Sequence, residues 1–290
     1  MTELIATSNE SIRQNVARKS SFVDSVQYFK GLPLFSWIDI NPTELCNRTC
    51  VFCPRVDSDL YPNQNLHMSV DLAEKMAAEL ASLNYEGAVT FSGYGEPLLA
   101  KNIVDLVHAF TSKGIKTEIV TNGDPLTADL VKNLVSEGPV YFVVSMYDGE
   151  HQRAAYSDIF AVSGLPQNSY ILRDRWYTED EEYGLKLTNR AGVYKYGQSP
   201  DIADSACFYP SYSMTIDWNG DSLLCVQDWN KRVKFGNVAT SSLVEIWASK
   251  RLHKIRMQNI KLGRKSSPCN LCNANGCVHG FNHAAAFLDK

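Results

Sequence analysis

Residues 46–54 read Cys46-Asn-Arg-Thr-Cys50-Val-Phe-Cys53-Pro54, which places three thiols on one short loop. The loop follows Trp37-Ile38-Asp39-Ile40, an apolar run that predicts a strand. Functional groups collect at the carboxyl ends of strands in parallel sheets, so the loop lies where such a sheet carries its chemistry. Three adjacent thiolates can bind three irons of a 4Fe-4S cluster and leave the fourth iron open to another ligand. The alternative, a structural zinc ion, normally needs a fourth Cys or His, and the loop contains neither.

The composition is that of an ordinary globular chain. Its 290 residues are 44% hydrophobic and 21% charged, enough for one large domain or for a domain with an added module. The formal charge is -4, from 28 Lys and Arg against 32 Asp and Glu, so there is no basic surplus to attract nucleic acid or an anionic membrane. We therefore expect neither as a partner.

The 8 cysteines are unevenly placed, with one group before residue 54 and another after residue 206. Disulfide bonds are one explanation, but they need an oxidising compartment. Residues 1–20 include Glu3 and contain no apolar stretch that could form the core of a signal peptide. No later segment has about 18 uninterrupted apolar residues, as a membrane span requires. We expect a cytoplasmic protein whose closely spaced cysteines bind metal or carry out redox chemistry.

Strands and helices alternate over the first half of the chain. After the first strand, an amphipathic helix is predicted over Ser69 to Leu83, with Ser69 as its cap. Because each parallel crossover needs a helix, the alternation predicts an α/β fold built on a parallel sheet. The further predicted strands are Ala88 to Phe91, Lys116 to Val120 and Val140 to Val144, and the further predicted helices are Lys101 to Lys113 and Thr127 to Glu137.

The pattern differs at the two ends of the chain. Residues 1–35 are polar and mixed in charge, and they predict an extension with at most one short helix near Phe22 to Phe29. Beyond about residue 195, the turn Trp218-Asn219-Gly220-Asp221 separates two segments of alternating apolar residues and predicts a hairpin. Ser241 and Ser242 then offer the N-cap of a helix that is predicted to run to about Leu262. We expect three parts: an N-terminal extension over 1–35, a core domain over 36–200 and a hairpin-and-helix module over 201–290.

The spacing Cys-x3-Cys-x2-Cys, with Phe52 directly before the last cysteine, resembles the radical S-adenosylmethionine (radical SAM) superfamily. The resemblance implies a partial (β/α)6 barrel and a 4Fe-4S cluster held by Cys46, Cys50 and Cys53. In this superfamily the open iron chelates the amino and carboxylate groups of S-adenosylmethionine. One electron from the cluster then cleaves it to methionine and a 5'-deoxyadenosyl radical. The resemblance also implies an electron donor such as flavodoxin or ferredoxin.

Two further motifs follow later strands in the order found in the superfamily. Ser92-Gly93-Tyr94-Gly95-Glu96-Pro97 resembles the Gly-Gly-Glu motif that holds the methionine ammonium group, with Tyr94 in place of its first glycine, so Gly95 and Glu96 are the expected contacts. Thr121-Asn122-Gly123 resembles the position that contacts the ribose, and Ser145 is a second candidate for the same ribose. Each motif alone also occurs as an ordinary turn, and their order after successive strands supports the assignment.

The later cysteines resemble the SPASM/twitch extension of radical SAM enzymes. Cys207 and Cys225 lie on either side of the first hairpin strand, Cys269-Asn-Leu-Cys272 follows, and Cys277 lies beyond it. A full SPASM module carries more cysteines than this and holds two auxiliary clusters. The resemblance here implies one auxiliary 4Fe-4S cluster on Cys207, Cys225, Cys269 and Cys272. A zinc ribbon is the alternative, since four-cysteine zinc sites also use Cys-x2-Cys pairs.

The resemblance extends to the twitch-type 2-deoxy-scyllo-inosamine dehydrogenases, over about residues 36 to 275. In that group an Arg in an Asn-Arg-Gly-Gly segment contacts the substrate hydroxyl that is oxidised, and Arg190 of Asn189-Arg190-Ala191-Gly192 occupies this position. A guanidinium hardly ever gives up its proton, so we expect Arg190 to stabilise a developing alkoxide. The implied function is a radical SAM oxidoreductase, a dehydrogenase of a small polyol, sugar or aminocyclitol that is helped by the auxiliary cluster.

Cys277 leaves a second outcome open. As a spare thiol it could return a hydrogen atom to the opposite face of a substrate radical, which would make the protein an epimerase; alternatively it is a cluster ligand or merely buried. A peptide-modifying SPASM-type maturase is a further alternative, because the sequence does not reveal the shape of the pocket. A non-enzymatic iron-sulfur electron carrier would explain the cysteines but not the S-adenosylmethionine motifs.

Overall fold

The structure, a computed structural model, describes residues 10–177, 187–194 and 205–289. One short ribbon and one large sheet contain its strands, and the sheet order is β10-β9-β8-β3-β4-β5-β6-β7 in the numbering that follows. The strands are β1 (Tyr28–Phe29), β2 (Leu32–Pro33), β3 (Trp37–Ile40), β4 (Ala88–Phe91), β5 (Lys116–Thr121), β6 (Val140–Met146), β7 (Tyr170–Asp174), β8 (Ser213–Ile216), β9 (Asp221–Leu223) and β10 (Lys234–Asn237).

The sheet is parallel from β8 through β3, β4, β5 and β6 to β7. Strands β9 and β10 extend it on one side by antiparallel pairing. The predicted α/β fold with a parallel sheet is therefore confirmed. The carboxyl ends of the parallel strands meet along one edge, which is where the motifs singled out in the sequence begin.

Helices cover one face of this sheet, and a continuous core joins outward-facing strand residues such as Val89 and Phe91 to helix residues such as Met76 and Phe110. No helix among the described residues is long and apolar enough to cross a bilayer. The helices are α1 (Glu10–Val23), α2 (Val70–Ser82), α3 (Ile103–Thr111), α4 (Ala128–Val135), α5 (His151–Ser163), α6 (Tyr209–Tyr212), α7 (Leu243–Trp247), α8 (Lys250–Lys261) and α9 (Phe281–Leu288).

The opposite face of the parallel strands is polar, although it is buried. It carries Asp39 on β3, Thr90 on β4, Glu118 on β5, Ser145 on β6 and Thr215 on β8, and each of these is less than a tenth exposed. These positions alternate with the apolar core residues because successive side chains of a strand point to opposite faces. Buried polar groups are costly without partners, so this inner face is the natural place for a ligand.

Helix α1 lies against the polar inner face. Arg18 forms an ion pair with Glu118 of β5, and the ammonium of Lys19 lies 4.6 Å from the centre of the Trp37 ring. The helix predicted near Phe22 to Phe29 is wrong, because the helix ends at Val23 and Tyr28–Phe29 form a strand that pairs with Leu32–Pro33. Helix α1 has few apolar residues, and Phe22 and Val23 at its end pack with Trp37.

The C-terminal part also differs from the sequence-based expectation. The predicted hairpin is present, but β8 pairs in parallel with β3 as well as with β9, so the main sheet continues past the boundary proposed at residue 200. The single helix expected from Ser241 to Leu262 is two helices, because Ser242 caps α7 with a capping box and Ser249 caps α8. Helix α5 and strand β7 were not predicted.

Arg256 of α8 provides a test of how the C-terminal helices are held. Its side chain is fully buried, its guanidinium lies 4.2 Å from the centre of the Trp247 ring and 4.0 Å from that of Phe287, and it donates to the carbonyl of Pro210 at 2.8 Å. We expect Arg256→Ala to lower the free energy of unfolding by about 3 kcal/mol, because it removes the ring contacts and leaves the carbonyl unpaired.

Anaerobic denaturant unfolding measures this change. Lys254→Ala, at an exposed position on the same helix, should alter the free energy of unfolding by less than about 0.5 kcal/mol. Equal effects of the two substitutions would contradict the structural role assigned to Arg256.

Candidate active site

The residues that the sequence assigns to the first cluster and to S-adenosylmethionine line one cavity. This cavity has a volume of about 260 Å³ and lies at the carboxyl ends of the parallel strands. Its lining also includes Arg190, which the sequence assigns to the substrate. The residues from the sequence assignment are Cys46, Cys50, Cys53, Phe52, Gly95, Glu96, Asn122 and Ser145.

Polar contacts hold the first cysteine loop against the neighbouring strand ends. The guanidinium of Arg48 pairs with Asp124 at 2.6 Å and with Asp148 at 2.5 Å, and these carboxylates follow β5 and β6. Both carboxylates raise the pKa of Arg48, so it stays cationic. The side chain of Asn47 donates to Asp124 at 2.6 Å and accepts from the side chain of Asn122 at 2.8 Å. The three thiols are thus positioned by residues from two other strand ends.

The turn after β4 fits against the segment that leads into this loop. The side-chain oxygen of Asn41 accepts the backbone N–H groups of Tyr94 at 3.0 Å and Gly95 at 3.3 Å. A Cβ at Gly95 would lie 2.3 Å from the carbonyl oxygen of Thr43, so only glycine fits here. The ring of Tyr94 packs against Trp229 at 4.9 Å between centres, which explains why the motif tolerates a tyrosine at its first glycine.

Glu96 is buried, and its carboxylate joins the ends of β4 and β5. It accepts hydrogen bonds from the Thr121 hydroxyl at 2.5 Å and from the backbone N–H groups of Asn122 at 2.8 Å and Leu98 at 3.1 Å. Burial raises the pKa of Glu96 to about 7, although these donors favour the ionised form. Glu96 therefore connects two strand ends, and its contact with the methionine ammonium stays a prediction.

The segment 187–194 connects the two sets of cysteines. Asn189 and Asn273 form two reciprocal hydrogen bonds. The backbone N–H of Asn189 donates to the side-chain oxygen of Asn273 at 2.7 Å, and the backbone N–H of Asn273 donates to that of Asn189 at 3.2 Å. Asn273 follows Cys272 directly. Toward the other end of the segment, the Tyr194 hydroxyl donates to the carbonyl of Val51 in the first cysteine loop. The segment is thus bonded to both loops that carry cysteines.

Arg190 projects from this segment into the cavity. Its backbone φ of 48° is left-handed, which costs a non-glycine residue about 1 kcal/mol or more, so the surrounding bonds hold the segment in place. Its Nε is buried and has no hydrogen-bond partner among the described residues. Burial lowers the pKa of Arg190, while the nearby Cys53 thiol opposes this. A half-buried guanidinium with an unpaired Nε–H is suited to bind an oxygen atom of a ligand.

Four of the five later cysteines lie near one another. Burial raises the pKa of the Cys225 thiol, and the nearby Cys269, Cys272 and Cys207 raise it further. Burial likewise raises the pKa of the Cys207 thiol to about 12. A thiolate in such a place needs a compensating cation, as the irons of a cluster provide.

The contacts around these sulfurs also fit a cluster. The side-chain amide of Asn259 donates to the sulfur of Cys269 at 3.6 Å, and the backbone N–H of Ala274 donates to that of Cys272 at 3.4 Å. Such donors tune the sulfur ligands of iron-sulfur centres. A Cβ at Gly276 would lie 2.3 Å from the sulfur of Cys207, so the backbone closes directly over this sulfur.

Cys277 lies apart from this group. Its thiol donates to the carbonyl of Ala206 at 3.0 Å, and Arg264, not another cysteine, is the charged group that acts on its pKa. Among the described residues that line the cavities beside Arg190, Cys277 does not occur. The structure therefore does not bring this thiol to Arg190, and its role as a hydrogen donor stays a prediction.

Comparison with known proteins agrees with this geometry. Residues 40–159 match the model of the radical SAM superfamily, and residues 207–275 match the SPASM iron-sulfur cluster-binding domain. The S-adenosyl-L-methionine-dependent 2-deoxy-scyllo-inosamine dehydrogenase of Niallia circulans is 30% identical over 247 residues, which cover 83% of this chain and 93% of that enzyme. The chain belongs to the radical SAM superfamily. It is a radical SAM enzyme related to a dehydrogenase, and its cofactors are S-adenosylmethionine and 4Fe-4S clusters.

The SPASM match contains Cys207, Cys225, Cys269 and Cys272 and ends before Cys277. The superfamily and SPASM matches thus favour iron-sulfur clusters over the zinc alternatives. The structure of BtrN in complex with AdoMet and 2-DOIA superposes with a TM-score of 0.70 at 28% identity, covering 85% of this chain and 96% of BtrN. BtrN in an open conformation gives a TM-score of 0.61 at 26% identity, over 83% of this chain and 93% of BtrN.

Sequence reasoning missed several residues that line the cavity. Arg173 lies on β7, a strand that was not predicted, and its guanidinium donates to the Ser145 hydroxyl at 2.9 Å. Tyr147 stacks on Phe52 at 5.8 Å between centres. Trp229 follows Cys225 by four positions, and only the packing of its ring on Tyr94 reveals its place in the site.

Glu96 predicts a pH dependence of stability. Its pKa is about 7 in the folded protein and about 4.3 in an unfolded chain. Its contribution to stability is therefore full below about pH 4 and is lost as the pH rises through 7. Relative to Glu96→Gln, we expect the free energy of unfolding of the wild type to fall by about 2 kcal/mol between pH 5 and pH 8.

Anaerobic denaturation at both pH values, without added S-adenosylmethionine, measures this difference. Glu137→Gln, at an exposed position, should show no such change relative to the wild type. A difference between wild type and Glu96→Gln that is independent of pH would contradict the prediction.

Proposed function

We propose that this radical SAM enzyme is a dehydrogenase that oxidises a hydroxyl-bearing carbon of a small polyol, sugar or aminocyclitol. The observation that carries the proposal is the position of Arg190, on a segment bonded to both cysteine loops and aimed into the cavity. The relative from Niallia circulans is named for the oxidation of 2-deoxy-scyllo-inosamine. We also retain the division into 1–35, 36–200 and 201–290 as a proposal, with β8 shared by the main sheet.

Different residues of this chain would serve different steps of the oxidation. When bound, the first cluster and S-adenosylmethionine supply a 5'-deoxyadenosyl radical that removes a hydrogen atom from the substrate carbon. The substrate then loses the hydroxyl proton to water and one electron to the auxiliary cluster, which leaves a ketone. The unpaired Nε–H of Arg190 stabilises the substrate oxygen as its proton leaves, and the guanidinium itself remains protonated throughout. Cys207, Cys225, Cys269 and Cys272 would hold the auxiliary cluster that accepts the electron.

The two other outcomes have less support. Epimerisation needs a hydrogen donor beside the substrate, and the thiol of Cys277 is bonded to the carbonyl of Ala206 instead. The peptide-modifying alternative is represented by PqqA peptide cyclase of Bradyrhizobium diazoefficiens, which is 27% identical, and the match covers 46% of that protein. The dehydrogenase match covers 93% of its relative.

Anaerobic turnover with 2-deoxy-scyllo-inosamine, S-adenosylmethionine and dithionite tests the function. We expect a ketone and 5'-deoxyadenosine in equal amounts. When the substrate carries deuterium on the carbon that is oxidised, we expect that deuterium to appear in 5'-deoxyadenosine. Cys225→Ala should form at least about a hundredfold less ketone while it still cleaves S-adenosylmethionine, because it removes only an auxiliary ligand. An inverted carbon carrying deuterium from deuterated water would support the epimerase and contradict the dehydrogenase.

The contact between Asn189 and Asn273 predicts a separate effect on coupling. Asn189→Ala removes the side chain that fixes the segment of Arg190 to the auxiliary loop, so we expect ketone formation to fall about tenfold while S-adenosylmethionine cleavage continues. The ratio of ketone to 5'-deoxyadenosine measures this uncoupling. Asn270→Ala, at an exposed position on the same loop, should leave the ratio unchanged. An unchanged ratio in Asn189→Ala would show that the contact does not position Arg190.

A further inference from the structure

The C-terminal part of the chain carries a concentration of positive charge. The whole chain has a formal charge of -4, yet residues 246–288 contain no Asp or Glu. The Lys and Arg residues of this stretch are Lys250, Arg251, Lys254, Arg256, Lys261, Arg264 and Lys265. Such an uneven distribution creates a local positive potential, which attracts an anionic partner to this part of the surface.

Helix α8 presents much of this charge to solvent. Lys250, Lys254 and Lys261 are exposed, and their spacing along the helix places them on one side of it. Within the part of the chain that the structure describes, none of the three forms an ion pair. Lys250, Lys254 and Lys261 therefore form a basic face of α8 whose charge is available to a partner.

The basic face does not stabilise the helix that carries it. Lys250 and Lys254 are one helical turn apart, and like charges at this spacing repel each other. Lys250 and Arg251 lie in the first turn, where the helix dipole favours acidic residues, and this turn contains none. Local stability therefore does not account for these cations, whereas a bound anionic partner would.

Helix α8 packs directly on the loop that carries the auxiliary cysteines. The side-chain amide of Asn259 donates to the sulfur of Cys269 at 3.6 Å. Ile255 and Phe235 pack against the apolar group that contains Cys269, and the guanidinium of Arg251 lies 5.7 Å from the centre of the Phe235 ring. A partner on the basic face would thus be separated from the Cys269 sulfur by one helix diameter, about 10 Å.

Two exposed leucines lie beside the same loop. Leu262, directly after α8, is 66% exposed, and Leu271, between Cys269 and Cys272, is 48% exposed. Redox partners form small, transient interfaces that charge steers, and the centre of such an interface is its more apolar part. Exposed leucines next to unpaired cations fit an interface of this kind.

The cations beside the first cysteine loop are paired instead. Arg48 forms ion pairs with Asp124 and Asp148, and Arg55 forms one with Glu44. These carboxylates neutralise the positive charge on that side of the molecule. The charge distribution therefore favours the auxiliary side as the place where an acidic protein docks.

We propose that the basic face of α8, together with Leu271, docks an acidic one-electron carrier, a protein with a flavin or an iron-sulfur centre, which removes the electron that the auxiliary cluster receives. The inference rests on the proposed dehydrogenase function, in which each oxidation delivers one electron to that cluster. The cluster returns to its oxidised state, and the oxidised carrier gains this electron. Cleavage of S-adenosylmethionine consumes one electron at the first cluster, so the reduced carrier holds the electron that the next turnover needs.

Equilibrium binding of an acidic flavodoxin to the reconstituted holoenzyme tests the surface. We expect the affinity to fall as the salt concentration rises from about 0.05 M to 0.3 M, because the steering charges are screened. Replacing the basic face by Lys250→Gln, Lys254→Gln and Lys261→Gln should weaken binding at low salt at least about tenfold. Replacing the same lysines by Arg keeps the charge and should retain most of the affinity.

A matched control removes the same charge elsewhere on the surface. It carries Lys101→Gln, Lys113→Gln and Lys132→Gln, all at exposed positions before β6. Its affinity for flavodoxin should differ from that of the wild type by less than about twofold, because these lysines lie outside the proposed interface. Carbodiimide cross-linking, followed by mass spectrometry, should join flavodoxin carboxylates to the basic face and not to the control lysines.

Stopped-flow mixing shows which cluster the bound carrier serves. Holoenzyme that has been reduced with dithionite and freed of it is mixed with oxidised flavodoxin, without S-adenosylmethionine or substrate, and flavin absorbance reports the transfer. We expect a fast phase that Cys225→Ala abolishes and Cys50→Ala retains, since only Cys225→Ala removes an auxiliary ligand. The Gln variant of the basic face should slow this phase about tenfold.

The outcomes separate this proposal from the proposed function. Equal flavodoxin affinities of the Gln variant and the control would overturn it, as would a fast phase that depends on Cys50 rather than Cys225. Tighter binding of a DNA duplex than of flavodoxin to the basic face would also overturn it, in favour of a nucleic acid. Thermal unfolding and iron content show whether each variant is folded and loaded, and Lys254→Gln alone decides if the triple variant is not. The dehydrogenase function fails independently, if 2-deoxy-scyllo-inosamine yields no ketone with dithionite.

Discussion

The parallel pairing of β3 with β8 is the constraint on which the site depends. It joins Trp37 to Ser213 and Ile40 to Ile216, so both strands end at the same edge of the sheet. The first cysteine loop follows β3, and the hairpin that leads to Cys225 follows β8. Just beyond the strands, the side chain of Asn41 donates to Asp217 at 2.8 Å and secures this junction. Two groups of cysteines that are far apart in the chain are therefore joined to one continuous sheet.

Polar contacts between loops, rather than apolar packing, give the site its shape. Glu96 joins two strand ends, Arg48 ties the first cysteine loop to two others, and the exchange between Asn189 and Asn273 fixes the segment of Arg190. Glu96 is fully buried and would be costly to bury without its donors, whereas the other contacts are partly exposed and fix the loops by geometry. The Nε–H of Arg190, which lacks such a partner, then marks where a ligand completes the structure.

Much of the fold was accessible from local patterns in the sequence. The first four strands of the parallel sheet were predicted close to their observed bounds, because buried parallel strands are continuous apolar runs. Ser69 was recognised as a cap, and its side chain does accept from the backbone N–H of Leu72. Helix α1 was misplaced because its own sequence is mostly polar, and α5 with β7 was missed because that region is rich in aromatics without a clear period. Because of these errors, Lys19 and Arg173 were not recognised from the sequence as residues of the site.

The sequence by itself determined the chemistry of the first loop, since three thiols within eight residues restrict the ligand whatever the rest of the chain does. It also determined the order of the motifs after successive strands, which indicated the superfamily. Only the tertiary structure decided that Cys277 stands apart from the other later cysteines, and that Lys19 and Arg173 face one cavity. The reason is physical: periodicity and spacing encode local structure, whereas the net charge of a cavity is a sum over side chains that long-range strand pairing brings together.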